Sequence, residues 1–222
     1  MEREVCNAIT QQKLIAIVRG VEADRLIPMA EAMYAGGVRL LEITFSAKGT
    51  PSDKETAGNI AMLVKHFAGR MYIGAGTVLT PEQVELVAKA GGKFIISPDA
   101  NTAVIENTKQ LGLVSIPGAL TPTEIQTAHR AGADFVKLFP VTGLGTEYVK
   151  AVSAPLSHIK FLAVGGVDEQ NMDDYLKAGV CGFGIGSSLV NRKLIEAGDY
   201  NAITELAKKY VAVIRNGRFF DD

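Results

Sequence analysis

The sequence predicts an α/β protein, a (β/α)8 TIM barrel with an extra helix at its N-terminus. Three observations support this fold class: short apolar runs alternate with helical segments, glycines end the helices, and capping residues begin them. The eight apolar runs begin at Leu14, Leu40, Tyr72, Phe94, Val114, Phe135, Phe161 and Gly182. Eight such repeats within 222 residues predict a parallel sheet that closes into a single barrel domain, residues 1–222.

The individual elements follow from apolar continuity and helical periodicity. Predicted strands cover Leu14–Val18, Leu40–Phe45, Tyr72–Ala75, Phe94–Ser97, Val114–Ile116, Phe135–Phe139, Phe161–Val164 and Gly182–Ile185. Predicted helices lie near 1–12, 23–35, 56–67, 82–90, 102–110, 122–131, 146–152, 169–178 and 200–215. The strands are apolar without clean alternation, which is typical of a sheet whose outer face is covered by helices.

The joints between elements repeat along the chain. Ala35-Gly36-Gly37 and Ala90-Gly91-Gly92 each end a helix, where glycine suits the left-handed cap position. Thr80-Pro81, Thr121-Pro122 and Asp168 have the chemistry of helix starts. An open doubly wound sheet is the alternative closure. The number of repeats favours the barrel, and no GxGxxG motif follows the first strand, so the dinucleotide-binding open sheet loses support.

Composition excludes several classes of protein. The net charge of −1 provides no field for nucleic acid or an anionic membrane, and no apolar run reaches membrane-spanning length. Cys6 and Cys181 lack a CxxC partner, and the three histidines, His66, His129 and His158, form no HxH or HxxxH pair, so we expect no disulfide framework and no metal site. The charged N-terminus lacks a signal-peptide core, which favours a cytoplasmic protein.

Lys137 is the first candidate for chemistry, because it lies in the middle of the apolar run Phe135–Phe139. Burying an ammonium group is costly, and desolvation lowers the pKa of a lysine. A neutral amine is a nucleophile toward carbonyl carbon, so a Schiff-base lysine is the functional interpretation. The structural alternative is a strand-end lysine whose amine reaches water.

Glu42 is the second candidate, since it also lies in an apolar strand, with Thr44 on the same face. The second and sixth strands lie opposite each other in an eight-stranded barrel, so we expect Glu42 and Lys137 to face one cavity. A carboxyl group there suits proton transfer beside an imine. A buried ion pair that only fixes packing is the alternative.

The other strand ends predict how a substrate is held. Arg19 ends the first strand and suits a carboxylate. Gly165-Gly166 and Gly186-Ser187 follow the seventh and eighth strands, where barrels often bind phosphate through backbone N–H groups and a helix start. Tight turns without a ligand are the alternative for these glycines.

Together these motifs resemble the bacterial KDPG/KHG aldolases. The resemblance covers residues 10–200 and depends on the order and spacing of several short motifs. They are Leu41-Glu42-Ile43-Thr44, Gly74-Ala75-Gly76-Thr77, Ile96-Ser97-Pro98, Pro117-Gly118-Ala119-Leu120-Thr121-Pro122, Val136-Lys137-Leu138-Phe139-Pro140, Val164-Gly165-Gly166-Val167 and Gly186-Ser187. That family consists of class I aldolases, usually homotrimers. They cleave 2-keto-3-deoxy-6-phosphogluconate or 4-hydroxy-2-oxoglutarate to pyruvate and an aldehyde, without a metal or organic cofactor.

The resemblance implies roles for residues that match the family's motifs. Lys137 resembles the Schiff-base lysine, Glu42 the general acid/base and Thr77 the threonine that holds the pyruvate carboxylate. Pro98 and Phe139 match pocket-lining positions, whereas Thr44 and Arg19 are expected to contact substrate. Gly165, Gly166, Gly186 and Ser187 fall at the phosphate-binding positions.

One departure affects the expected substrate. Many family members have arginine where this chain has Ser46, and Arg19 is the residue that can supply the charge. An aldolase for a related sugar acid, such as the 6-phosphogalactonate form, is therefore an alternative. Two others are a phosphosugar isomerase or epimerase that uses Lys137 as a charge clamp, and a catalytically silent barrel that binds a phosphorylated ligand.

Overall fold

The computed structural model describes residues 2–216, and its strands form one parallel sheet that closes into a barrel. The strands are β1 (Leu14–Val18), β2 (Leu40–Thr44), β3 (Tyr72–Gly76), β4 (Phe94–Ile96), β5 (Val114–Ile116), β6 (Gly118–Ala119), β7 (Val136–Leu138), β8 (Phe161–Val164) and β9 (Gly182–Ile185). Their order is β5-β4-β3-β2-β1-β9-β8-β7-β6, and every neighbouring pair is parallel.

The two ends of this sheet are successive pieces of one strand, separated by Pro117. β5 pairs with β4, whereas β6 pairs with β7. The N–H of Lys137 donates to the carbonyl of Pro117 at 2.9 Å, which continues the ladder across the junction. The nine strand segments therefore act as eight staves, and the predicted (β/α)8 barrel is confirmed.

Helices surround the barrel, and most bounds agree with the sequence pattern. The helices are α1 (Glu2–Gln12), α2 (Ala23–Ala35), α3 (Asp53–His66), α4 (Pro81–Lys89), α5 (Thr102–Gln110), α6 (Pro122–Arg130), α7 (Gly145–Ser153), α8 (Met172–Lys177), α9 (Arg192–Ala197) and α10 (Tyr200–Asn216). The sequence pattern missed the short α9. It also placed the start of α8 too early, because Asp168 accepts the N–H groups of Gln170 and Asn171 in a turn before the helix.

The barrel interior is filled with apolar side chains at the end where the strands begin. Its buried cluster consists of Val5, Ile9, Ile15, Leu40, Phe94, Ile96, Val114, Ile116, Phe135 and Leu162. Val5 and Ile9 come from α1, so this extra helix covers the N-terminal end of the barrel. A second, larger cluster lies between the sheet and the surrounding helices. The opposite end of the barrel is left for polar side chains.

Charged groups attach α1 to the same end. Lys109 Nζ lies 2.6 Å from Glu2 Oε1 and 2.7 Å from Asp134 Oδ2. Asp134 also accepts the N–H of Ser115 at 2.8 Å. These contacts connect the helix to β5 and to the residues before β7. Within residues 2–216 no helix is long and apolar enough to cross a membrane.

We predict that α1 contributes directly to the stability of the barrel. Ile9 is 1% exposed, so Ile9→Ala should leave a cavity and lower the free energy of unfolding by about 2–5 kcal/mol. Urea unfolding followed by circular dichroism measures this change. Asn7→Ala on the exposed face of the same helix is the control and should change stability by less than about 0.5 kcal/mol. Equal effects of the two substitutions would contradict the packing of α1 into the barrel.

Candidate active site

A cavity of about 370 Å³ lies at the end of the barrel where the strands terminate. Every site residue predicted from the sequence, except Thr44, lines it. The predicted residues in its wall are Arg19, Glu42, Thr77, Pro98, Lys137, Phe139, Gly165, Gly166, Gly186 and Ser187. Strand alternation explains why these residues meet in one cavity. Each of them either lies two residues after another inward-facing residue of its strand, so it also points inward, or lies in the loop that follows the strand.

Glu42 is enclosed by the barrel and is only 2% exposed. Its Oε1 accepts a hydrogen bond from the Thr44 hydroxyl at 3.2 Å, whereas Oε2 is buried without a hydrogen-bond partner in the described structure. A Cβ atom at position 76 would overlap the Glu42 carboxyl, so the neighbouring strand can pass this side chain only with glycine there. The Glu42 carboxyl group therefore lines the cavity with one oxygen that forms no hydrogen bond within residues 2–216.

Lys137 enters the cavity from the opposite side of the barrel and is 7% exposed. It follows Phe135 by two residues, so its side chain lies one layer above the apolar cluster. Its Nζ lies 4.4 Å from the centroid of the Phe139 ring. The amine therefore has an apolar floor, an aromatic neighbour and the cavity in front of it.

Burial shifts the pKa values of both groups toward their neutral forms. Desolvation raises the pKa of Glu42, and the positive charges of Lys137 and Arg19 and the Thr44 hydrogen bond oppose this shift. Desolvation also lowers the pKa of Lys137; Glu42 opposes that shift and Arg19 adds to it. A neutral amine is a nucleophile, and a protonated carboxyl group is an acid. The pair can therefore carry out addition and proton transfer at one carbonyl group.

Arg19 and Thr77 form the side of the cavity next to Glu42. Arg19 Nη2 donates to Thr77 Oγ1 at 3.2 Å. Thr77 has a φ of +54°, an unfavourable conformation for a β-branched residue that costs about 1–3 kcal/mol. Such strain is common where a side chain must be aimed at a ligand. A guanidinium and a hydroxyl held together suit a carboxylate.

The glycine-rich loops after β8 and β9 form the opposite wall. Gly165 and Gly166 have φ values of +92° and +74°, which glycine adopts without strain. After β9 the chain turns back, because the Gly186 carbonyl accepts the N–H groups of Leu189 and Val190. The helices α8 and α9 begin only at Met172 and Arg192, so backbone groups of the loops, rather than a helix start, form this wall.

Two positions singled out in the sequence, Thr44 and Ser46, lie outside this cavity. The Thr44 hydroxyl donates to Glu42, and the residue lines a neighbouring groove of about 980 Å³, so its contact with substrate stays a prediction. Ser46 also lines that groove, whereas Arg19 lines both spaces. Ser46 is therefore outside the cavity, whereas the guanidinium of Arg19 belongs to a residue in the cavity wall.

Sequence reasoning missed several residues of the wall. The additional lining residues are Ile17, Val164, Val167, Asp168, Gly184 and Ser188. Ile17 and Gly184 could have been found from alternation, because they lie two residues before Arg19 and Gly186. Val167, Asp168 and Ser188 lie in loops, where no periodicity applies. No group of three or more histidine, cysteine or acidic residues that could hold a metal ion occurs within residues 2–216.

Glu42 should make the free energy of unfolding decrease as pH rises above 4.5. Its raised pKa means that the folded protein keeps a proton that the unfolded chain loses near pH 4.5. This stabilisation is full below pH 4.5 and is lost as pH rises to the folded pKa. Relative to wild type, Glu42→Gln should therefore gain free energy of unfolding from pH 4.5 into the neutral range, by at most about 1.4 kcal/mol per pH unit.

Urea unfolding of both proteins between pH 4.5 and 8 tests the sign. Glu55→Gln is the matched control, because hydrogen bonds from Ser52 lower the pKa of Glu55. Its stabilisation is already nearly complete above the unfolded pKa of 4.5, so the stability of that variant relative to wild type should stay nearly constant from pH 4.5 to 8. Parallel curves for the two variants would rule out a buried, protonated Glu42.

This chain is similar in sequence to a known family of aldolases. The family model for KDPG and KHG aldolase matches residues 5–206. The chain is 38% identical over 200 residues to a probable 2-dehydro-3-deoxy-6-phosphogalactonate aldolase of Rhizobium meliloti (strain 1021), covering 89% of this chain and 91% of the relative. It is 32% identical over 209 residues to the KHG/KDPG aldolase of Escherichia coli (strain K12), covering 92% and 93%.

A solved structure has the same fold. The KDPG aldolase of Legionella pneumophila, with pyruvate captured at low pH as a covalent carbinolamine intermediate, superposes with a TM-score of 0.82. The two chains are 29% identical, and the match covers 91% of this chain and 96% of that one. The chain therefore belongs to the KDPG and KHG aldolase family, whose members are lyases of the class I pyruvate aldolase type.

Proposed function

We propose that this enzyme cleaves phosphorylated 2-keto-3-deoxy sugar acids to pyruvate and an aldehyde, with Lys137 as the Schiff-base lysine and Glu42 as the proton-transfer group. The observation that carries the proposal is the meeting of a buried amine and a buried carboxyl group in one cavity. Burial lowers the pKa of the amine and raises that of the carboxyl group. The carbinolamine captured in the Legionella relative supports covalent chemistry at such a lysine.

Imine formation is the first step. The neutral amine of Lys137 adds to the C2 ketone of the substrate and gives a carbinolamine. Protonation of the C2 hydroxyl by Glu42 lets water leave, and the nitrogen becomes part of a protonated imine. A protonated imine accepts electrons far better than the ketone, so the barrier to carbon–carbon cleavage falls.

Cleavage uses the same carboxyl group in its ionised form. Glu42, through one water molecule, takes the proton of the C4 hydroxyl. The C4 oxygen then forms the aldehyde carbonyl, the C3–C4 bond breaks, and its electron pair moves into the C2–C3 bond of an enamine. Protonation at C3 and hydrolysis of the imine release pyruvate and restore the free amine. No step requires a metal or organic cofactor.

The remaining residues would hold the two ends of the substrate. Arg19 and Thr77, joined by a hydrogen bond, suit the carboxylate beside the reacting ketone. At the other wall, Gly165, Gly166, Gly186 and Ser187 suit the phosphate, because glycine lets backbone N–H groups approach an anion closely. Pro98 and Phe139 complete the wall around the reacting carbons.

Relatives favour one substrate over another. The phosphogalactonate aldolase of Rhizobium meliloti is 38% identical, whereas the KHG/KDPG aldolase of Escherichia coli is 32% identical. Ser46, at a position where many family members have arginine, also makes a related sugar acid a candidate substrate. We therefore propose the 6-phosphogalactonate form as the better substrate, and the 6-phosphogluconate form and 4-hydroxy-2-oxoglutarate as the other candidates.

Assembly and location are part of this proposal. The family resemblance supports a homotrimer of one-domain subunits, residues 1–222, in the cytoplasm, with small-molecule substrates as the only partners. Size-exclusion chromatography with light scattering would measure the mass of the assembly, and a mass other than that of three 23.6 kDa chains would replace the trimer.

The first test is reductive trapping of the imine. Borohydride in the presence of pyruvate should leave a pyruvyl adduct on Lys137, identified by intact and peptide mass spectrometry. Lys137→Met removes the nucleophile, so it should abolish the adduct and lower kcat by at least about 10³-fold. Lys65→Met, at an exposed position on α3, should trap pyruvate like the wild-type protein.

Two outcomes would overturn the lysine assignment. An adduct on another lysine would move the nucleophile elsewhere. No adduct on folded wild-type protein would instead favour the isomerase or epimerase in which Lys137 acts only as a charge.

The second test compares substrates. Pyruvate release from the three candidate keto acids, followed with lactate dehydrogenase, gives kcat/KM for each. We expect the phosphorylated acids to exceed 4-hydroxy-2-oxoglutarate by at least about tenfold, because only they can bind the glycine loops. A higher kcat/KM for the gluconate form than for the galactonate form would reverse our substrate order. No turnover of any acid, with phosphate binding intact, would favour the catalytically silent barrel.

A further inference from the structure

Asn171 makes an unusual contact beside the glycine loop. Its Nδ2 donates to the carbonyl of Gly166 at 3.0 Å, and its Oδ1 accepts the N–H of Asp168 at 3.0 Å. One planar side-chain amide therefore binds the backbone on both sides of Val167, as a neighbouring strand would. The contact requires a donor and an acceptor together, which only an amide side chain provides at this length.

The position of Asn171 makes the contact more informative. Asn171 is the N-cap residue of α8, where an asparagine side chain normally accepts N–H groups of the helix. Here it makes no such capping bond. The carboxylate of Asp168 instead accepts the N–H groups of Gln170 and Asn171. The usual capping group of α8 is thus turned toward the cavity loop.

This contact sets the direction of one peptide group. The peptide that joins Gly166 to Val167 is planar and trans, so its N–H points opposite to its carbonyl. Because Asn171 holds the carbonyl, the N–H of Val167 points away from Asn171. Gly166, Val167 and Asp168 all line the cavity. The N–H of Asp168 is already used by Asn171, so the N–H of Val167 remains for a ligand of this loop.

The glycine before it is confined as well. Gly166 has a φ of +74°, and a Cβ atom there would lie 2.5 Å from Thr142 Oγ1. Gly166 therefore has a left-handed backbone conformation, lies close to the Thr142 side chain, and has its carbonyl held by Asn171. A loop carbonyl left free to rotate could instead present its negative end to an anion, which would weaken binding.

We propose that Asn171 is a positioning residue for phosphate recognition: it holds the Gly166 carbonyl so that the Val167 N–H faces the substrate phosphate. The proposal rests on the phosphate site of the proposed function. It assigns to Asn171 a selective effect on the phosphorylated end of the substrate, with none on imine formation at Lys137.

Two substitutions separate the contributions of this side chain. Asn171→Ala removes both hydrogen bonds and adds no charge. Asn171→Asp keeps the shape and the acceptor but loses the donor to Gly166, and it places a carboxylate beside the anion. We expect the Kd for inorganic phosphate, measured by isothermal titration calorimetry, to rise by about 3–10-fold in Asn171→Ala and by more than about tenfold in Asn171→Asp.

A merely structural role would weaken all functions of the site together. A positioning role should instead weaken binding of the phosphate end of the substrate and leave the chemistry at the keto end unchanged. KM for the phosphorylated keto acid should rise with the phosphate Kd, whereas kcat should change by less than about threefold. The rate of borohydride trapping with pyruvate should equal that of the wild-type protein. Thermal unfolding of each variant separates loss of fold from loss of recognition.

Asn191 provides the matched control. It caps α9 in the neighbouring loop, and its Oδ1 accepts the N–H groups of Lys193 and Leu194. Aspartate caps a helix as well as asparagine does, so Asn191→Asp adds the same charge without removing a needed donor. We expect its phosphate Kd to stay within about twofold of wild type.

The possible results have distinct meanings. Wild-type phosphate affinity in Asn171→Ala, or equal losses of phosphate binding and pyruvate trapping, would overturn the role of Asn171. An equal loss in Asn191→Asp would do the same, because the effect would then be one of charge alone. Failure of wild-type protein to trap pyruvate would reject the Schiff-base function, while phosphate calorimetry would still decide the role of Asn171. Failure of wild-type protein to bind phosphate would reject the phosphate site and this proposal together.

Discussion

The interaction on which the site depends is the electrostatic coupling of Glu42 and Lys137, which line one cavity inside a closed barrel. Either charge alone would be costly there, and each side chain reduces the cost of the other. The low polarity that shifts their pKa values comes from the cluster beneath them, where α1, Phe94 and Phe135 exclude water. The apolar end of the barrel thus sets the acid–base properties of the opposite end.

The two walls of the cavity present different groups, which we propose bind two different anions. One wall presents side chains, Arg19 and Thr77, which suit a planar carboxylate beside the reacting carbon. The other presents backbone from the loops after β8 and β9, which suits the several oxygens of a phosphate. Backbone donors have no side-chain freedom, but their direction must be held. Asn171 is the group that we propose holds it.

Much of this arrangement could be predicted from the sequence, because it follows from local rules. Apolar runs locate the strands. Period-two alternation places Glu42 and Thr44 on the same face of their strand, and Lys137 and Phe139 on the same face of theirs. Topology then brings the second and sixth predicted strands across one cavity. These inferences need no side-chain coordinates, and the structure agrees with them.

The rest depended on tertiary contacts that no local pattern encodes. Alternation could not show that the Thr44 hydroxyl is used by Glu42 rather than by a ligand. Asp168 is a residue type that often caps helices, yet α8 begins four residues later, at Met172. The side chain of its N-cap residue, Asn171, binds the preceding loop instead of the N–H groups of the helix. The fifth predicted strand is divided at Pro117, because its first half pairs with β4 and its second half with β7. This pairing depends on closure of the barrel, so the local sequence does not reveal it.

The position of α1 has a consequence for the adaptability of this enzyme. The helix and the cluster that it completes support the fold from the end of the barrel farthest from the loops that line the cavity. Residues that carry stability and residues that contact substrate therefore occupy separate layers. A mutational lineage can exchange loop residues for new aldehyde partners while the apolar layer retains the fold, and stabilising changes in that layer can enlarge the range of loop variants that still fold.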